Sequence, residues 1–510
     1  MTETYLMAVD LGTSFIKAAL YDLRGNRIAS SQAPVKSDAS RAGIFLQSGE
    51  DIYRSVIETL RELSDLIGEK KKNIAAIGFT GQMAGFIGAG PGWEDITSWS
   101  CSLDIRYAPY AEEQIRTMGK DFLEIAGTNA PVMAPKITWF EHDFPREAAR
   151  VAKYMLISSY VTGRLGGADI EEASLGSSYI TWTGLADIRK KSWSETLCGG
   201  LGIRTDKLPR IADYHAIAGY LSKEAADAAG LPSGIPLAAG AGDKIAGCVG
   251  AGILTPGDTT FEASSYAAVS VLTDSYRPNP DRYDYDAIPA LEDGRFYLHR
   301  YFPGSGITLQ WFIDTFMEAG LSSDEAFRSI EAAAGKIAAG SDGLMAVGML
   351  GGSAMPFDGT LRGTWAGHTW SHRREHFYRA LLESYGYELA LTLDSVKKMY
   401  PEWDRLTGIV LTGGGAQSGL WPQILADTTG SRFILPERDD AALWGTAVIA
   451  GKGAGVFSDI REAVKTEAAP PVIVTPDPDK QKEYFTLRKQ YDELLKIMRH
   501  YFSDINKNLK

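Results

Sequence analysis

The sequence predicts the α/β class, and three observations carry the prediction. An antiparallel meander opens the chain, helical and strand segments alternate after it, and a second strand–turn–strand stands far downstream. Residues 5–9 are an apolar run, Gly12-Thr13-Ser14 is a turn, and residues 15–21 are a second run. Arg24-Gly25-Asn26 turns the chain into a third strand around Ile28. The period changes over residues 51–67, where Ile52, Val56, Ile57, Leu60 and Leu63 recur at helical spacing. Residues 74–79 read as a strand ending in Thr80-Gly81-Gln82.

The downstream echo runs from residues 259–262 through Ala263-Ser264-Ser265 into residues 266–272. It matches the first strand–turn–strand in pattern rather than identity. Just before it, residues 240–252 (GAGDKIAGCVGAG) are rich in small side chains and suit a hinge between two halves. The expected units are 1–252, 253–469 and 470–510. The last unit opens with a Pro-rich connector, residues 470–478. It continues with Tyr484, Leu487, Tyr491, Leu494 and Met498 at helical spacing, read as a terminal helix packed on the body.

Composition narrows the function classes. The chain has 510 residues, 45% of them apolar, enough for more than one sizeable core. It carries 52 basic against 64 acidic residues, a net charge of −12, which argues against a nucleic-acid binder. Three separated cysteines, Cys101, Cys198 and Cys248, make neither a disulfide framework nor a zinc site. No stretch reads as a signal peptide or membrane span, so the expectation is a cytoplasmic protein without membrane partners.

Five constellations could carry chemistry. Asp10 closes a strand and opens a Gly-Thr-Ser turn, a cluster that suits magnesium and phosphate or a self-capped hairpin. Lys17, on the outgoing strand, is a solvated residue or a phosphate partner. Asp243 lies between glycines at the start of a helical segment, as a helix cap or as a base whose pKa the helix terminus would lower. Residues 406–412 form a strand followed by Gly413-Gly414-Gly415 and a helix over 420–429, an arrangement for holding nucleotide against backbone or a flexible turn. Gln82-Met83 and Asp104-Ile105-Arg106 put polar side chains after strand ends, at a polyol pocket or on the surface. His368, His372 and His376 are spaced by four, but Gly363 and Gly367 place the helix start near Ser371, which favours a polar helix start over a metal site.

In this order the segments resemble the FGGY family of carbohydrate kinases, within the actin/hexokinase/heat-shock-chaperone superfamily. The resemblance rests on MAVDLGTSFIKAALYD, GFTGQMAG, SLDIR, PKITWF before YVTGRLGG, AGAGDKIAGCVGAG, GSGITLQWF, FYRALLES, LTGGGAQSGLWPQILADTTG and AALWGTAVIAG. It implies two actin-like (ribonuclease H-like) domains with an active-site cleft between them. Sugar would be held mainly by the N-terminal half and ATP mainly by the C-terminal half, with magnesium as cofactor. By resemblance Asp10 organises magnesium, Gly12, Thr13, Ser14 and Lys17 face the phosphates, and Ser264 and Ser265 form a second phosphate turn. Gly413, Gly414, Gly415 and Gln417 meet the adenosine. Asp243 is the catalytic base and touches the acceptor, with Gln82, Met83, Asp104 and Arg106 at the sugar. Homodimers are common in the family.

Departures fall mainly on the expected sugar contacts, with one in the second phosphate turn. Ala84 replaces the histidine of GQMHG, Ser102 stands for the tryptophan of Trp-x-Asp-x-Arg, Ala263 replaces a glycine, and Gly352 to Pro356 lacks two charges. The implied activity is ATP-dependent phosphorylation of a terminal hydroxyl, with a pentulose such as xylulose first and a gluconate or other polyol second. A chaperone-like ATPase and a silent sugar sensor are the competing classes. A polyol pocket has no use in the first, and retention of Asp10 and Asp243 argues against the second.

Overall fold

The computed structural model describes residues 3–41, 43–279, 284–318, 320–355, 357–402, 408–465 and 470–508. Tyr5–Leu11 (β1) is buried at every position but Asp10, as a strand covered on both faces must be. It pairs antiparallel with Phe15–Asp22 (β2), which pairs in turn with Arg27–Pro34 (β3), completing the expected meander. Gly49–Ile67 (α1) packs on β2 and β3 through Ile52, Val56, Leu60 and Leu63. Its start is fixed by Ser48, whose hydroxyl accepts from the Asp51 N–H. On the other side of β1, Ile74–Gly81 (β4) runs parallel to it, followed by Pro236–Ala238 (β6), which pairs antiparallel with Ile217–Tyr220 (β5). The six-stranded order is β5-β6-β4-β1-β2-β3.

The second sheet repeats this plan. Thr259–Glu262 (β7) pairs antiparallel with Ala267–Thr273 (β8), β8 with Phe296–Phe302 (β10), and β10 with the edge strand Asp286–Pro289 (β9). Ile409–Thr412 (β11) and Phe433–Leu435 (β12) extend the other side in parallel, and Val472–Val474 (β13) closes it antiparallel. The order β9-β10-β8-β7-β11-β12-β13 is the first sheet with one strand added beyond the meander. The sequence echo at 259–272 is therefore the meander start of a second, like-wound sheet. Of the strand expected over 406–412, residues 406 and 407 lie outside the described residues, as do 466–469 at the expected end of the second unit and Pro356.

Two helices bind the halves together. Asp243–Gly250 (α2) crosses Ala441–Gly453 (α5), which also lies on β1 and β4. The crossing is glycine on backbone: a Cβ on Gly250 would fall 1.9 Å from Ala441 O, and one on Gly445 1.9 Å from Ala246 O. One continuous apolar core runs through both halves, from Tyr5 to Ala463.

The connector at 470–478 is partly strand, because Val472, Ile473 and Val474 complete the edge of the second sheet. The terminal helix, Pro478–Asn508 (α6), lies against Arg374–Met399 (α3) and Trp421–Thr429 (α4). Tyr484 donates to Glu383 Oε1 at 2.8 Å and Tyr491 to Glu388 Oε1 at 2.7 Å, both fully buried. Helix α3 begins at Arg374, three residues later than expected. The Thr369 N–H donates to His372 Nδ1 and the Arg373 N–H to His376 Nδ1, so two of the three histidines serve the chain entering that helix.

Candidate active site

Three cavities lie around the meeting of the two halves, two of them lined from both halves and one by the second half alone. The smallest, about 220 Å³, is lined by Asp10, Asp243, Lys244, Glu262, Thr412 and Gly413, among others. Asp10 reaches it from β1, Asp243 from the first position of α2, and Glu262 from the last position of β7. A second, about 740 Å³, is lined by Ser264, Ser265, Gln310, Phe327, Glu331, Gly414, Gly415, Gln417 and Trp421. A third, about 660 Å³, has Asp10 and Lys17 in its wall with Arg27, Gln32 and Asp439.

The local backbone explains the glycines. Gly413 has φ +81°, and a Cβ on it would fall 2.8 Å from Ala263 O. A Cβ on Gly415 would sit 2.6 Å from the Trp421 ring, whereas Gly414 meets nothing within 4 Å and leaves its backbone open to a ligand. The Gly415 N–H donates to Ala263 O at 2.8 Å, and the Ala263 N–H to Thr412 O at 2.8 Å. The Ala263-Ser264-Ser265 turn and the glycine loop are thus stitched into one wall. Residues 414–417 form a 3-10 turn rather than a flexible segment.

Asp243 is not the helix cap. Gly242 holds that position, and Asp243 Oδ1 accepts the N–H of its neighbour Lys244 at 2.8 Å. Nor is its pKa lowered, as a helix start alone would dictate. Burial raises it above the ordinary carboxylate value and Glu262 adds to the rise, outweighing Lys244 and the N–H contact. Burial likewise pushes Asp10 up to about 7, with the charge of Asp243 next in effect. Lys244 is held well above the usual lysine value by Glu262 and Asp243, against the opposing effect of burial.

Asp10 lies opposite Lys17 on β2 and Thr80 on β4. Thr80 Oγ1 is buried without a hydrogen-bond partner. No group of three or more His, Cys, Asp or Glu able to cage a metal occurs among the described residues. A carboxylate that lines two cavities and makes no ion pair among the described residues fits an ion such as magnesium, which keeps most of its waters and takes phosphate oxygens. The Gly12-Thr13-Ser14 turn is not in the walls of these three cavities. It is tied instead to Gln47, whose Nε2 donates to Thr13 O at 2.8 Å.

The expected sugar-side residues fall in two hydrogen-bonded clusters, and none of them lines the three cavities. Gln82 Oε1 accepts from Trp99 Nε1 at 3.1 Å, and its amide lies 3.5 Å from Gln47 Oε1. Met83 is buried over Gly242, where a Cβ would fall 2.3 Å from its sulfur, so the strand end at Gln82 is packed onto the loop bearing Asp243. Asp104 is buried and takes a two-pronged contact from Arg106, Nε at 2.9 Å and the second guanidinium nitrogen at 2.7 Å. Burial opposes its ionisation, but Arg106, Ser100 and Lys136 outweigh that and hold its pKa below the usual value. Arg106 also lies 4.6 Å over the Trp139 ring.

Several residues escaped the sequence reading. Lys136 is fully buried behind Asp104, donating to Ser100 Oγ at 2.7 Å and Asp104 O at 2.8 Å, and burial lowers its pKa to about 7. Its signal was a charged residue inside the apolar run PKITWF. Lys244 and Glu262 form an ion pair inside the small cavity, signalled by a charge next to Asp243 and by the acid of the echoed strand. Gln310, Phe327 with Glu331, and Trp421 come from three different helices, and nothing in the local sequence assigns them to one cavity.

Comparison with known proteins agrees with this geometry. The N-terminal domain model of the FGGY family of carbohydrate kinases matches residues 5–250, and the C-terminal domain model matches residues 268–454. The chain is 27% identical to a xylulose kinase of Bacillus subtilis over 512 residues, 99% of each protein. It is 27% identical to an autoinducer-2 kinase of Escherichia coli, over 96% of this chain and 94% of that one. The structure of a gluconate kinase from Lactobacillus acidophilus superposes with a TM-score of 0.89 at 21% identity, covering 99% of this chain and 100% of that one. Two like-wound α/β halves, facing carboxylates and family models over most of the length lead to one assignment: the chain belongs to the FGGY family of carbohydrate kinases and has its two-domain actin-like fold.

Proposed function

We propose that the chain transfers the γ-phosphoryl group of ATP to a terminal hydroxyl of a small sugar, with a pentulose such as xylulose as first acceptor and gluconate or another polyol as second. The observation that carries this is one small cavity, walled by Asp10, Asp243 and Gly413, beside a larger one walled by the two stitched turns. In this reading the larger cavity takes the nucleotide, its adenosine against Gly414, Gly415 and Gln417 and its phosphates toward Ser264 and Ser265. Lys17 and the Gly12-Thr13-Ser14 turn approach the phosphates as the cleft closes. The acceptor lies against Gln82, Met83, Asp104 and Arg106, with one hydroxyl at Asp243.

Phosphoryl transfer has a loose transition state, so positioning and charge do most of the catalysis. Asp243 accepts the hydroxyl proton as the oxygen bonds to phosphorus and ADP leaves. Its raised proton affinity makes it a better acceptor than a solvated aspartate, and its place on α2 keeps it aimed into the cavity. Asp10 would hold magnesium, which when bound neutralises phosphate charge. Closure of the halves excludes water as a competing acceptor.

The test is ADP release with Mg–ATP across ketoses, polyols, aldonic acids and the acceptor of autoinducer-2 kinases, beside Asp243→Ala. Turnover with one acceptor that disappears in the variant is the expected result. Acceptor-independent ATP hydrolysis, or acceptor binding without turnover, would replace it with an ATPase or a sensor.

A further inference from the structure

Lys244 holds two parts of the site at once. Its main-chain N–H donates to Asp243 Oδ1 at 2.8 Å, while its ammonium donates to both Glu262 oxygens at 2.9 and 2.8 Å. The first contact is on α2, beside the proposed base. The second is at the end of β7, where the chain enters Ala263-Ser264-Ser265. One residue therefore links the helix that aims the base to the turn proposed to face the phosphates, across the two halves.

Beyond Glu262 there is little slack. Ala263 is bonded to Thr412 and Gly415, and the Gly306 N–H donates to Ser264 O at 3.0 Å. A Cβ on Gly306 would fall 2.7 Å from that same oxygen, so the turn is also packed tight. Movement of Glu262 relative to α2 thus carries the turn and the glycine loop with it. The pair is sheltered, at 19% and 31% side-chain exposure, where water weakens a charge contact less than at the open surface.

We propose that Lys244 and Glu262 are positioning residues, a strut that sets the spacing between Asp243 and the phosphate turn during transfer. This rests on the reading of Asp243 as base and of Ser264 and Ser265 as phosphate contacts. The strut fixes a distance rather than gripping a ligand, so loosening it separates the acceptor oxygen from the γ-phosphate while each substrate still binds. The signature is a loss in kcat with KM retained.

The experiment compares Lys244→Met, Glu262→Gln, the double variant and Lys244→Arg. It reads kcat, KM for each substrate, and nucleotide Kd by direct titration. The expected loss is about 10- to 100-fold in kcat for either single variant, with each KM within about threefold, because misplacement by about 1 Å costs that order. A single variant strands a sheltered charge and risks misfolding, so the double variant, which removes both charges, decides. It is expected to be no worse than the weaker single, and Lys244→Arg to recover most of the rate. A double variant with wild-type kcat overturns the strut, as do fully additive losses. A raised nucleotide Kd with kcat unchanged overturns it by making Lys244 a nucleotide contact. Asp243→Asn run alongside separates the layers: turnover surviving there removes the base and the strut argument with it.

Discussion

Substituting Gly445 with alanine tests whether the glycine crossing of α2 and α5 sets the geometry of the site. The added Cβ would sit 1.9 Å from Ala246 O and 2.7 Å from Gly250 N. Real Cβ contacts stay beyond 3.0 Å, so the helices must part by at least 3.0 − 1.9 = 1.1 Å. Helix α5 has no room to retreat, because a Cβ on Gly78 of β4 would already fall 2.5 Å from Thr446 O on its other side. The displacement is taken by α2, which carries Asp243. Overpacking of this kind costs about 1–3 kcal/mol, and an error of about 1 Å at a reacting group costs on the order of 100-fold in rate. The assay is acceptor-dependent ADP release together with thermal unfolding. We expect kcat down about 100-fold, a melting temperature lower by a few degrees, and nucleotide binding retained. Gly119→Ala is the control, since its Cβ meets a single side-chain atom at 3.8 Å in an exposed helix; it should gain up to about 1 kcal/mol and keep full activity. Wild-type kcat and melting temperature in Gly445→Ala would refute the argument that this crossing locates the base.

Three further outcomes follow from the same contacts. Asp10 has a folded-state pKa of about 7 against an ordinary 3.8, so the folded protein binds the extra proton between those values and loses stability as pH rises through them; in nucleotide-free protein Asp10→Asn should melt above wild type at pH 8, the gap closing by about pH 4, and a pH-independent gap would sink the assignment. Tyr484→Phe removes a buried hydroxyl bonded to Glu383 and Arg379, which should cost about 1.5–3 kcal/mol in unfolding while kcat stays at wild type. Gly415→Ala drives a Cβ to within 2.6 Å of the Trp421 ring and should raise the KM for ATP at least about tenfold, as read by initial rates, with the acceptor KM unchanged.

What the sequence made legible was local. Asp10 and its turn, Asp243 between glycines, and the strand–glycine–helix at 409–429 are each legible in a single short stretch, because turn chemistry and helix starts are short-range. The wall of the larger cavity was hidden, since Gln310, the pair Phe327 and Glu331, and Trp421 arrive on three helices whose assembly depends on the whole fold. Residues 472–474 read as part of a linker because their partner, β12, lies some forty positions away. The direction of the Asp243 shift was misjudged for a like reason. A helix start is visible in the sequence and lowers a carboxylate pKa, whereas burial and the charge of Glu262 exist only once both halves are in place.

The repeated topology accounts for how the two halves divide the work. Asp10 and Glu262 stand at matching positions: each is near the end of the first strand of its sheet, and each faces a threonine on the parallel neighbour, Thr80 and Thr412. Their antiparallel neighbours differ. Asp10 is opposite Lys17, while Glu262 is opposite Ala268, whose methyl group offers no charge. Glu262 is paired instead from outside its sheet, by Lys244 on the crossing helix. Asp10 makes no ion pair within 4 Å among the described residues, and burial, with the charge of Asp243, raises its pKa. The repeated strand end thus yields one acid without an ion pair among the described residues, the one proposed to hold magnesium, and one committed to a lysine. The committed acid joins the halves in the cavity it shares with Asp243, where the proposed transfer brings donor and acceptor together.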